Sequence, residues 1–235
     1  MMFQIATVVA IASRHNESYQ FSLEGQNFPQ QQPKHYVDNI FRKLDFTGRL
    51  TPINYIEPQF SFSPIVHHKQ LCLSGYFQSE KYFQSKAEDI KYIFSPSKDW
   101  ISDVQSSHRE SVSVHVRRGD YLHLPNHHPC CTLDYYNEAL QQFPNSKIVI
   151  FSDDIEWCKK QFDSNYTFIQ GQSDYDDLWT MSKCDHHIIA NSSFSWWGAW
   201  LGHNPHKTVI APKNWFGKNL KHNTNDLYPD EWVTI

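Results

Sequence analysis

The sequence predicts an α/β fold in which helices cover both faces of a parallel sheet. In the C-terminal half, short β-branched runs alternate with segments of helical length. This alternation is typical of βαβ units. In addition, clusters of polar residues directly follow three of the apolar runs. Because ligands bind beyond the carboxyl ends of parallel strands, these clusters indicate a ligand-binding edge.

The N-terminal half gives weaker signals, and it opens with a predicted helix rather than a strand. Residues 1–12 are apolar nearly all round and lead into a polar loop at 13–16, which predicts a buried helix. Residues 19–64 are rich in Gln, Asn, Pro and aromatics, and only 36–44 suggest a helix there. Two further elements are predicted, a strand running into a turn at 70–77 and an amphipathic helix at 79–94.

After residue 110 the predicted elements alternate regularly. The predicted strands are 111–116, 147–151, 166–170, 186–190 and 208–212. The predicted helices are 133–143, with Thr132 as N-cap, 155–162, 174–183 and 194–201. This change of pattern places a domain boundary after residue 110, giving an N-terminal domain at 1–110 and an α/β ligand-binding domain at 111–235.

Charge and cysteine content exclude several classes of protein. A formal net charge of -4 gives no general attraction to nucleic acid or to an anionic membrane. The five cysteines contain no CxxC pair, and the adjacent Cys130 and Cys131 suit a disulfide framework poorly, which favours a reducing compartment. No run approaches the roughly 18 apolar residues of a membrane helix.

Three histidine pairs, at 67–68, 127–128 and 186–187, are expected on the surface or in loops. Neighbouring residues of a strand point to opposite faces, and none of the pairs has a carboxylate or cysteine at a zinc-like spacing. The sequence therefore predicts no metal site.

The first polar cluster, Arg117 to Asp120, follows the strand at 111–116. Two adjacent arginines at a strand end repel each other unless an anion lies between them, and a diphosphate would meet that need. The alternative is an ion pair from Arg118 to Asp120 or to another acid. We expect one of the two arginines to be paired in this way and the other to bind the anion.

The second and third clusters could complete a nucleotide site. In Ser152-Asp153-Asp154 one carboxylate could accept hydrogen bonds from guanine, while the other caps the following helix. In Asn191-Ser192-Ser193 the hydroxyls and free N–H groups of a helix start could bind phosphate, and the alternative is an ordinary N-cap. The tryptophans that follow are expected in the core: Trp196, Trp197 and Trp200. Neither GxxxxGK[ST] nor GxGxxG occurs, so the residues themselves predict a nucleotide sugar or a related phosphoester.

Taken together, these motifs resemble those of the α-1,2-fucosyltransferases of glycosyltransferase family 11. The segments that carry the resemblance are HVRRGDYL at 115–122, FSDD at 151–154 with Trp157-Cys158, NSSFSWWGAWL at 191–201, GYFQSEKYF at 75–83 and VIAPKNWF at 209–216. Their order and spacing match as well, and the resemblance spans essentially the whole chain.

The resemblance implies a GT-B-like fold of two Rossmann-like domains, with 1–110 on the acceptor side and 111–235 binding GDP-fucose. It also implies an inverting transfer of fucose to the 2-hydroxyl of a galactose-containing glycan, with no metal or other cofactor and no nucleic-acid partner. The residues implied as catalytic are Arg117, which would bind the diphosphate, and His115 and Asp120. Those implied as binding GDP-fucose are Arg117, Arg118, Ser152, Asp153, Asp154, Asn191, Ser192, Ser193 and Phe194.

One departure concerns the N-terminus, where family members usually carry a strand and the segment GGLGNQMFQ. Only Met2-Phe3-Gln4 matches here, so the first strand is expected to be missing. This leaves open a truncated, binding-only or inactive relative, or a fucosyltransferase of another linkage. The expected location is the cytoplasm, at the membrane periphery, where surface glycans are made. The alternative is the Golgi lumen, if a membrane anchor has been lost.

Overall fold

The computed structural model describes residues 1–23, 34–49, 53–96 and 110–235. The chain divides into two compact units. The first comprises Met1–Pro96 and His222–Pro229, and the second comprises the remaining residues up to Ile235. The roles predicted for 1–110 and 111–235 stay a prediction.

The first unit contains a long helix and a small parallel sheet. Its elements are α1 (Met2–His15), α2 (Lys34–Val37), β1 (Ile53–Ile56), β2 (Leu71–Ser74) and α3 (Ala87–Phe94), and β1 pairs with β2 in parallel. The predicted buried helix at the N-terminus and the strand within 70–77 are confirmed. Strand β1 was missed because it lies in the region rich in Gln, Asn and Pro.

Two predicted helices of this unit are shorter than expected. Of 36–44 only the start is helical, because α2 ends at Val37 and turns follow. Of 79–94 only the last eight residues form an α-helix, after two short 3-10 turns at 80–82 and 84–86. Tyr82 and Phe83 are both buried, at 2% and 0% exposure. Adjacent residues of a regular amphipathic helix cannot both lie at the centre of its buried face, which is consistent with the break between the two turns.

The second unit is built on a six-stranded parallel sheet. Its strands are β3 (Ser111–Val116), β4 (Lys147–Ser152), β5 (Thr167–Phe168), β6 (His186–Ile188), β7 (Val209–Ala211) and β8 (Val233–Thr234). Their spatial order is β5-β4-β3-β6-β7-β8. Numbered within this unit, the order is 3-2-1-4-5-6, the order of a Rossmann sheet. The predicted α/β class with parallel sheets is confirmed, and the short β8 was missed.

In the described part of this unit, four α-helices accompany these strands: α4 (Leu133–Leu140), α5 (Ile155–Gln161), α6 (Asp174–Ser182) and α7 (Ser193–Trp200). The predicted cap of α4 is confirmed, since the Thr132 side chain accepts from the Tyr135 N–H. On one face of the sheet, Val112, Val114 and Val116 pack in a cluster that includes Tyr136 of α4. A second cluster brings together Val149, Phe151, Met181, Cys184, Ile169 and Phe194.

Helix α7 is buried along most of its length. Trp196, Trp197 and Trp200 are 0%, 2% and 5% exposed, so their predicted place in the core is confirmed. Gly198 allows α6 to approach closely, because a Cβ there would lie 2.3 Å from the Met181 sulfur. Lys207 donates from Nζ to the carbonyl oxygens of the last turn and its end, Ala199, Trp200 and Gly202, at 2.7, 3.1 and 3.0 Å.

The expectation that the paired histidines lie on the surface or in loops is wrong for 186–187. His187 lies in β6 with 0% exposure, and its Nδ1 is 2.7 Å from the Ser113 hydroxyl on β3. Burial and the nearby Lys207 charge hold the pKa of His187 well below its usual value. The ring is therefore neutral, and the serine hydroxyl is the partner of Nδ1, while Nε2 is buried without a partner among the described residues.

All five cysteines are free thiols. Among the helices of the described residues, none has the length and apolar character needed to cross a membrane.

Candidate functional site

The candidate site lies at the carboxyl edge of the second unit's sheet, where β3, β4 and β6 end. Strand β3 pairs with β4 on one side and with β6 on the other. The chain order reverses between β3 and β6, and in open α/β sheets this switch point is where ligands bind. The three predicted clusters therefore follow neighbouring strands at the expected edge.

Arg117 is the first residue after β3, and two carboxylates hold it. One terminal nitrogen is 2.5 Å from Asp120 Oδ1, and the other is 2.9 Å from Asp153 Oδ2. The guanidinium carbon lies 5.3 Å from the centroid of the Tyr121 ring. The Arg117 side chain keeps 32% of its surface exposed, so a ligand can still reach it.

Arg118 is held on a separate set of partners. Its Nε donates to Asp154 Oδ2 at 3.0 Å, and its guanidinium lies 3.8 Å from the Trp157 ring centroid. Its backbone N–H donates to Asp153 Oδ1 at 2.8 Å. The expectation that only one arginine would be paired is therefore wrong. The reason is that the end of β4 supplies an acid for each guanidinium.

Each of the carboxylate oxygens of Asp153 and Asp154 has one partner within the protein. The two oxygens of Asp153 bind Arg117 and the Arg118 N–H, and Asp154 uses Oδ2 for Arg118. Asp154 Oδ1 accepts from the Trp157 N–H at 3.3 Å, which confirms that one of the two residues caps the following helix. The Ser152 hydroxyl accepts from the Asp154 N–H at 2.9 Å. All four carboxylate oxygens thus have partners without a ligand.

Gly119 makes the turn between the two arginines and Asp120 possible. A Cβ at this position would lie 2.6 Å from Asp153 Oδ2. Any other residue would force the turn and the carboxylate apart, because such an approach is closer than real Cβ atoms show.

In the third cluster, Asn191 is hydrogen-bonded within the protein, whereas Ser192 does not cap the helix that it precedes. Asn191 is 1% exposed and donates from Nδ2 to the carbonyl oxygens of Pro129 and Trp215, at 2.9 and 3.0 Å. It therefore ties loops together. Ser192 is the N-cap residue of α7 but makes no side-chain capping bond, and Ser193 is exposed. The start of α7 thus keeps N–H groups that its N-cap side chain does not satisfy.

Tyr121 connects the first and third clusters. Its hydroxyl donates to the Asn191 carbonyl oxygen at 3.1 Å, while its ring lies near Arg117. The tyrosine therefore lies near Arg117 with its ring and binds the segment that leads into α7 with its hydroxyl.

His115, the predicted catalytic candidate on β3, is 5% exposed. Its ring centroid is 5.3 Å from that of Phe194, and its Nδ1 is buried without a hydrogen-bond partner among the described residues. Burial, with a smaller effect of Arg117, lowers the pKa of His115 to about 3. The imidazole is therefore neutral at physiological pH and a weak proton acceptor.

Asp177 is a candidate that the sequence analysis missed. It lies in the first turn of α6, one helical turn before Met181, which packs in the cluster containing Phe194. Its Oδ1 is buried and has no partner within the described part of the chain. Burial, followed by the Asp174 and Asp176 charges, raises the pKa of Asp177 to about 6. The sequence feature that could have pointed to Asp177 is its place four residues before the buried Met181, in a helix that starts at the carboxyl edge of the sheet.

The charges at this edge do not favour an anion on their own. Two arginines face Asp120, Asp153 and Asp154, so the formal sum is two positive and three negative charges. The side chains are 18% to 33% exposed, and solvent screens each pair. An anion bound here must therefore share Arg117 with its carboxylates and use the start of α7. No group of three or more metal-binding side chains is arranged for a metal ion in the described ranges.

A Rossmann-ordered sheet with an arginine and a helix start at its switch point is typical of α/β proteins that bind nucleotides or phosphates. Comparison with known proteins identifies the family within this class. The profile of "Glycosyl transferase family 11" matches residues 54–235, and the chain belongs to that family.

Among its relatives is an Alpha-1,2-colitosyltransferase of Escherichia coli, which is 41% identical over 180 residues, 68% of this chain and 61% of the relative. The E. coli O-antigen biosynthesis glycosyltransferase WbnK is 31% identical over 223 residues, 83% of this chain and 72% of the relative. Human Galactoside alpha-(1,2)-fucosyltransferase 1 is 29% identical over 56% of this chain and 43% of its own length. The chain thus spans about three fifths of the colitosyltransferase and less than half of the human enzyme.

Crystal structures of POFUT1 in complex with GDP and with GDP-fucose match 60% of this chain and 54% of theirs, with a TM-score of 0.40. Sequence identity is 11% and 12%. This superposition is too loose to transfer any feature to this chain.

We expect Gly119→Ala to destabilise the fold by about 1–3 kcal/mol, because the added methyl group collides with Asp153. A double-mutant cycle with Asp153→Ala, followed by urea unfolding, measures the coupling. The penalty should fall below about 0.5 kcal/mol once the carboxylate is gone. An equal penalty in both backgrounds would show that the turn, rather than the carboxylate, requires glycine.

The buried His115 should also make stability depend on pH. Between pH 6.5, its ordinary pKa, and about pH 3, the unfolded chain binds a proton that the folded chain does not. Its contribution is complete above pH 6.5 and is lost as pH falls, by up to about 1.4 kcal/mol per pH unit. Asp177 opposes this below about pH 6, because its pKa is raised.

His115→Gln should therefore flatten the loss of stability between pH 6.5 and 4. The measurement is the urea midpoint at each pH, with exposed His123→Gln as the control that keeps the wild-type slope. If both variants give the same slope as wild type, His115 does not titrate as a buried group.

Proposed function

We propose that the chain is an inverting glycosyltransferase that moves L-fucose from GDP-fucose to the 2-hydroxyl of a galactoside. The proposal rests on the position of Arg117 in a member of family 11: this residue directly follows β3, and Tyr121 links it to Asn191, two residues before α7. A diphosphate bound there would meet a guanidinium and helix N–H groups together.

The proposed reaction is one in-line displacement. The acceptor oxygen bonds to the fucose anomeric carbon as the bond from that carbon to the phosphate oxygen breaks, and the electron pair leaves with GDP. The acceptor proton passes to a base or to the leaving phosphate. Arg117 and the start of α7 would stabilise the charge that grows on the diphosphate, because both are fixed before the reaction. We propose that no metal is needed.

Two predicted catalytic residues differ in their suitability as the base. His115 is a weak proton acceptor, since burial lowers its pKa to about 3. Asp120 is 30% exposed and uses one oxygen for Arg117. These facts favour Asp120 as the base. His115 would instead line the donor pocket.

For recognition of the guanine base, the geometry favours Asp177 over Asp153 and Asp154. The carboxylate oxygens of Asp153 and Asp154 all have protein partners, whereas Asp177 Oδ1 is buried without one in the described residues. A carboxylate can accept from the N1–H and amino group of guanine, and a neutral imidazole N–H can donate to O6. His115 Nδ1, which also lacks a partner there, would supply that donor.

Colitose is a second candidate for the transferred sugar, because a relative that is 41% identical is an Alpha-1,2-colitosyltransferase. Colitose is fucose without its 3-hydroxyl, so the diphosphate and guanine contacts would be the same. Turnover of GDP-fucose and GDP-colitose side by side decides between the two donors. A preference for GDP-colitose would leave the α-1,2 linkage and the roles of Arg117 and Asp177 unchanged.

We further propose that the enzyme acts in the cytoplasm at the membrane periphery, on a galactose-containing precursor of a surface glycan. The five free thiols support a reducing compartment.

We expect Arg117→Lys to reduce turnover about a hundredfold or more with little change in melting temperature. Lysine keeps the charge but cannot hold two phosphate oxygens in fixed geometry. The assay measures transfer from GDP-fucose to lactose in the presence of a chelator, with linkage analysis of the product and the exposed Arg42→Lys as control.

Near-normal turnover with an unchanged melt would show that Arg117 does not hold the leaving group. A collapsed melt would show that Arg117 mainly ties the sheet edge together. Activity of the wild type only after magnesium or manganese is added would contradict the metal-free reaction, and a linkage other than α-1,2 would contradict the acceptor hydroxyl.

Asp177→Asn should remove the preference for guanine. Wild type should bind GDP at least tenfold more tightly than ADP or UDP, and its GDP affinity should fall below about pH 6, where the carboxyl group protonates. In the variant, GDP affinity should approach that of ADP. Calorimetric titration measures this, with the exposed Asp134→Asn on another helix as control. If Asp153→Asn abolishes the preference and Asp177→Asn does not, the assignment is wrong.

A further inference from the structure

We propose that the ring of Tyr76, in the first unit, is a stacking platform for a neutral sugar ring of the acceptor glycan. This inference rests on the proposed function, because it names a contact for the acceptor. Tyr76 lies just beyond β2, at the carboxyl end of a parallel pair of strands, which is where α/β folds bind ligands.

The Tyr76 ring is unusually exposed for a residue with a fixed backbone. It is 63% exposed, and its only ring contact among the described residues is Phe60, with centroids 5.9 Å apart. Phe60 in turn stacks on His222 at 5.2 Å. The rings of Phe60 and His222 therefore pack in a row next to the Tyr76 ring.

Three hydrogen bonds lock the loop that carries Tyr76. The Glu57 carboxylate accepts from the Tyr76 N–H at 2.7 Å and from the Phe77 N–H at 3.0 Å. Gln4 donates from Nε2 to the Gly75 carbonyl oxygen at 2.7 Å. A ring on a loop held in this way loses little conformational entropy when a ligand binds.

The loop also contains backbone strain. Phe77 has a φ of 52°, which is rare for a bulky residue, and its side chain is 0% exposed. At Gly75 a Cβ would lie 2.4 Å from Glu57 Cβ, so the carboxylate can reach the loop only because this residue is glycine. Strained backbone that surrounding contacts hold in place is typical of binding sites.

The chemistry of the platform fits a neutral sugar. A tyrosine face offers an apolar surface to the C–H side of a pyranose, and its hydroxyl can bond to sugar hydroxyls. Gln78 follows two residues later, and its Oε1 is buried without a partner in the described part of the chain, so it can accept from a sugar hydroxyl after a small shift. The Glu57 carboxylate beneath the loop disfavours an anionic sugar.

The test compares Tyr76→Ala and Tyr76→Phe with Tyr92→Ala, which removes another tyrosine of the first unit that is 57% exposed. Lactose is the acceptor probe. We expect Tyr76→Ala to raise the KM for lactose about tenfold or more while GDP affinity and melting temperature stay unchanged. Tyr76→Phe should recover most of the loss, and Tyr92→Ala should behave as wild type.

Saturation-transfer NMR of lactose with the unmodified chain separates this proposal from the proposed function, because it needs no turnover. A lactose signal that Tyr76→Ala abolishes supports the platform even if neither GDP-sugar is a substrate. An unchanged signal and KM in Tyr76→Ala overturn the platform, and so does an equal loss in Tyr92→Ala, while leaving Arg117 and the transfer reaction untouched.

Discussion

The arrangement of charged residues at the carboxyl edge of the second unit's sheet depends above all on the carboxylate of Asp153. One of its oxygens fixes the Arg118 backbone and the other holds the Arg117 side chain. The residue belongs to the exit of β4, whereas both arginines belong to the exit of β3. Two adjacent cations can therefore occupy one strand end without a ligand, because the neighbouring strand supplies the balancing charge. The carboxylate is 26% exposed, so its importance lies in geometry more than in the strength of a single ion pair.

Strand β3 has an apolar face and a polar face. Val112, Val114 and Val116 point to an apolar cluster, while Ser113 and His115 alternate with them and point to the other face. There the Ser113 hydroxyl pairs with His187, and His115 lies beside Phe194 at the start of α7. Each of these two buried histidines has one ring nitrogen without a hydrogen-bond partner among the described residues, Nδ1 in His115 and Nε2 in His187.

The sequence predicts the second unit much better than the first. The strands at 111–116 and 147–151 and the cap at Thr132 follow from local pattern, because buried parallel strands and capped helices have strong signatures. The short β1 and β8 carry little pattern of their own, since pairing with neighbours defines them. Within the site, the polar residues at strand ends could be located, but their partners could not. The acid that pairs with Arg118, and the lack of a partner for Asp177 Oδ1 among the described residues, both depend on the packing of separate segments.

Lys207 gives helix α7 an electrical asymmetry. Its ammonium group sits on three carbonyl oxygens at the C-terminal end, where the helix macrodipole is negative. That end is thereby neutralised, while the opposite end, about 12 Å away for eight residues, keeps its positive field at Ser193. When a cation offsets the partial negative charge at its C-terminal end, a buried helix is left mainly with the partial positive charge at its N-terminal end. The partial positive charge at the start of α7 thus belongs to the same unit as the sheet edge with Arg117, where the side-chain charges alone sum to a negative value.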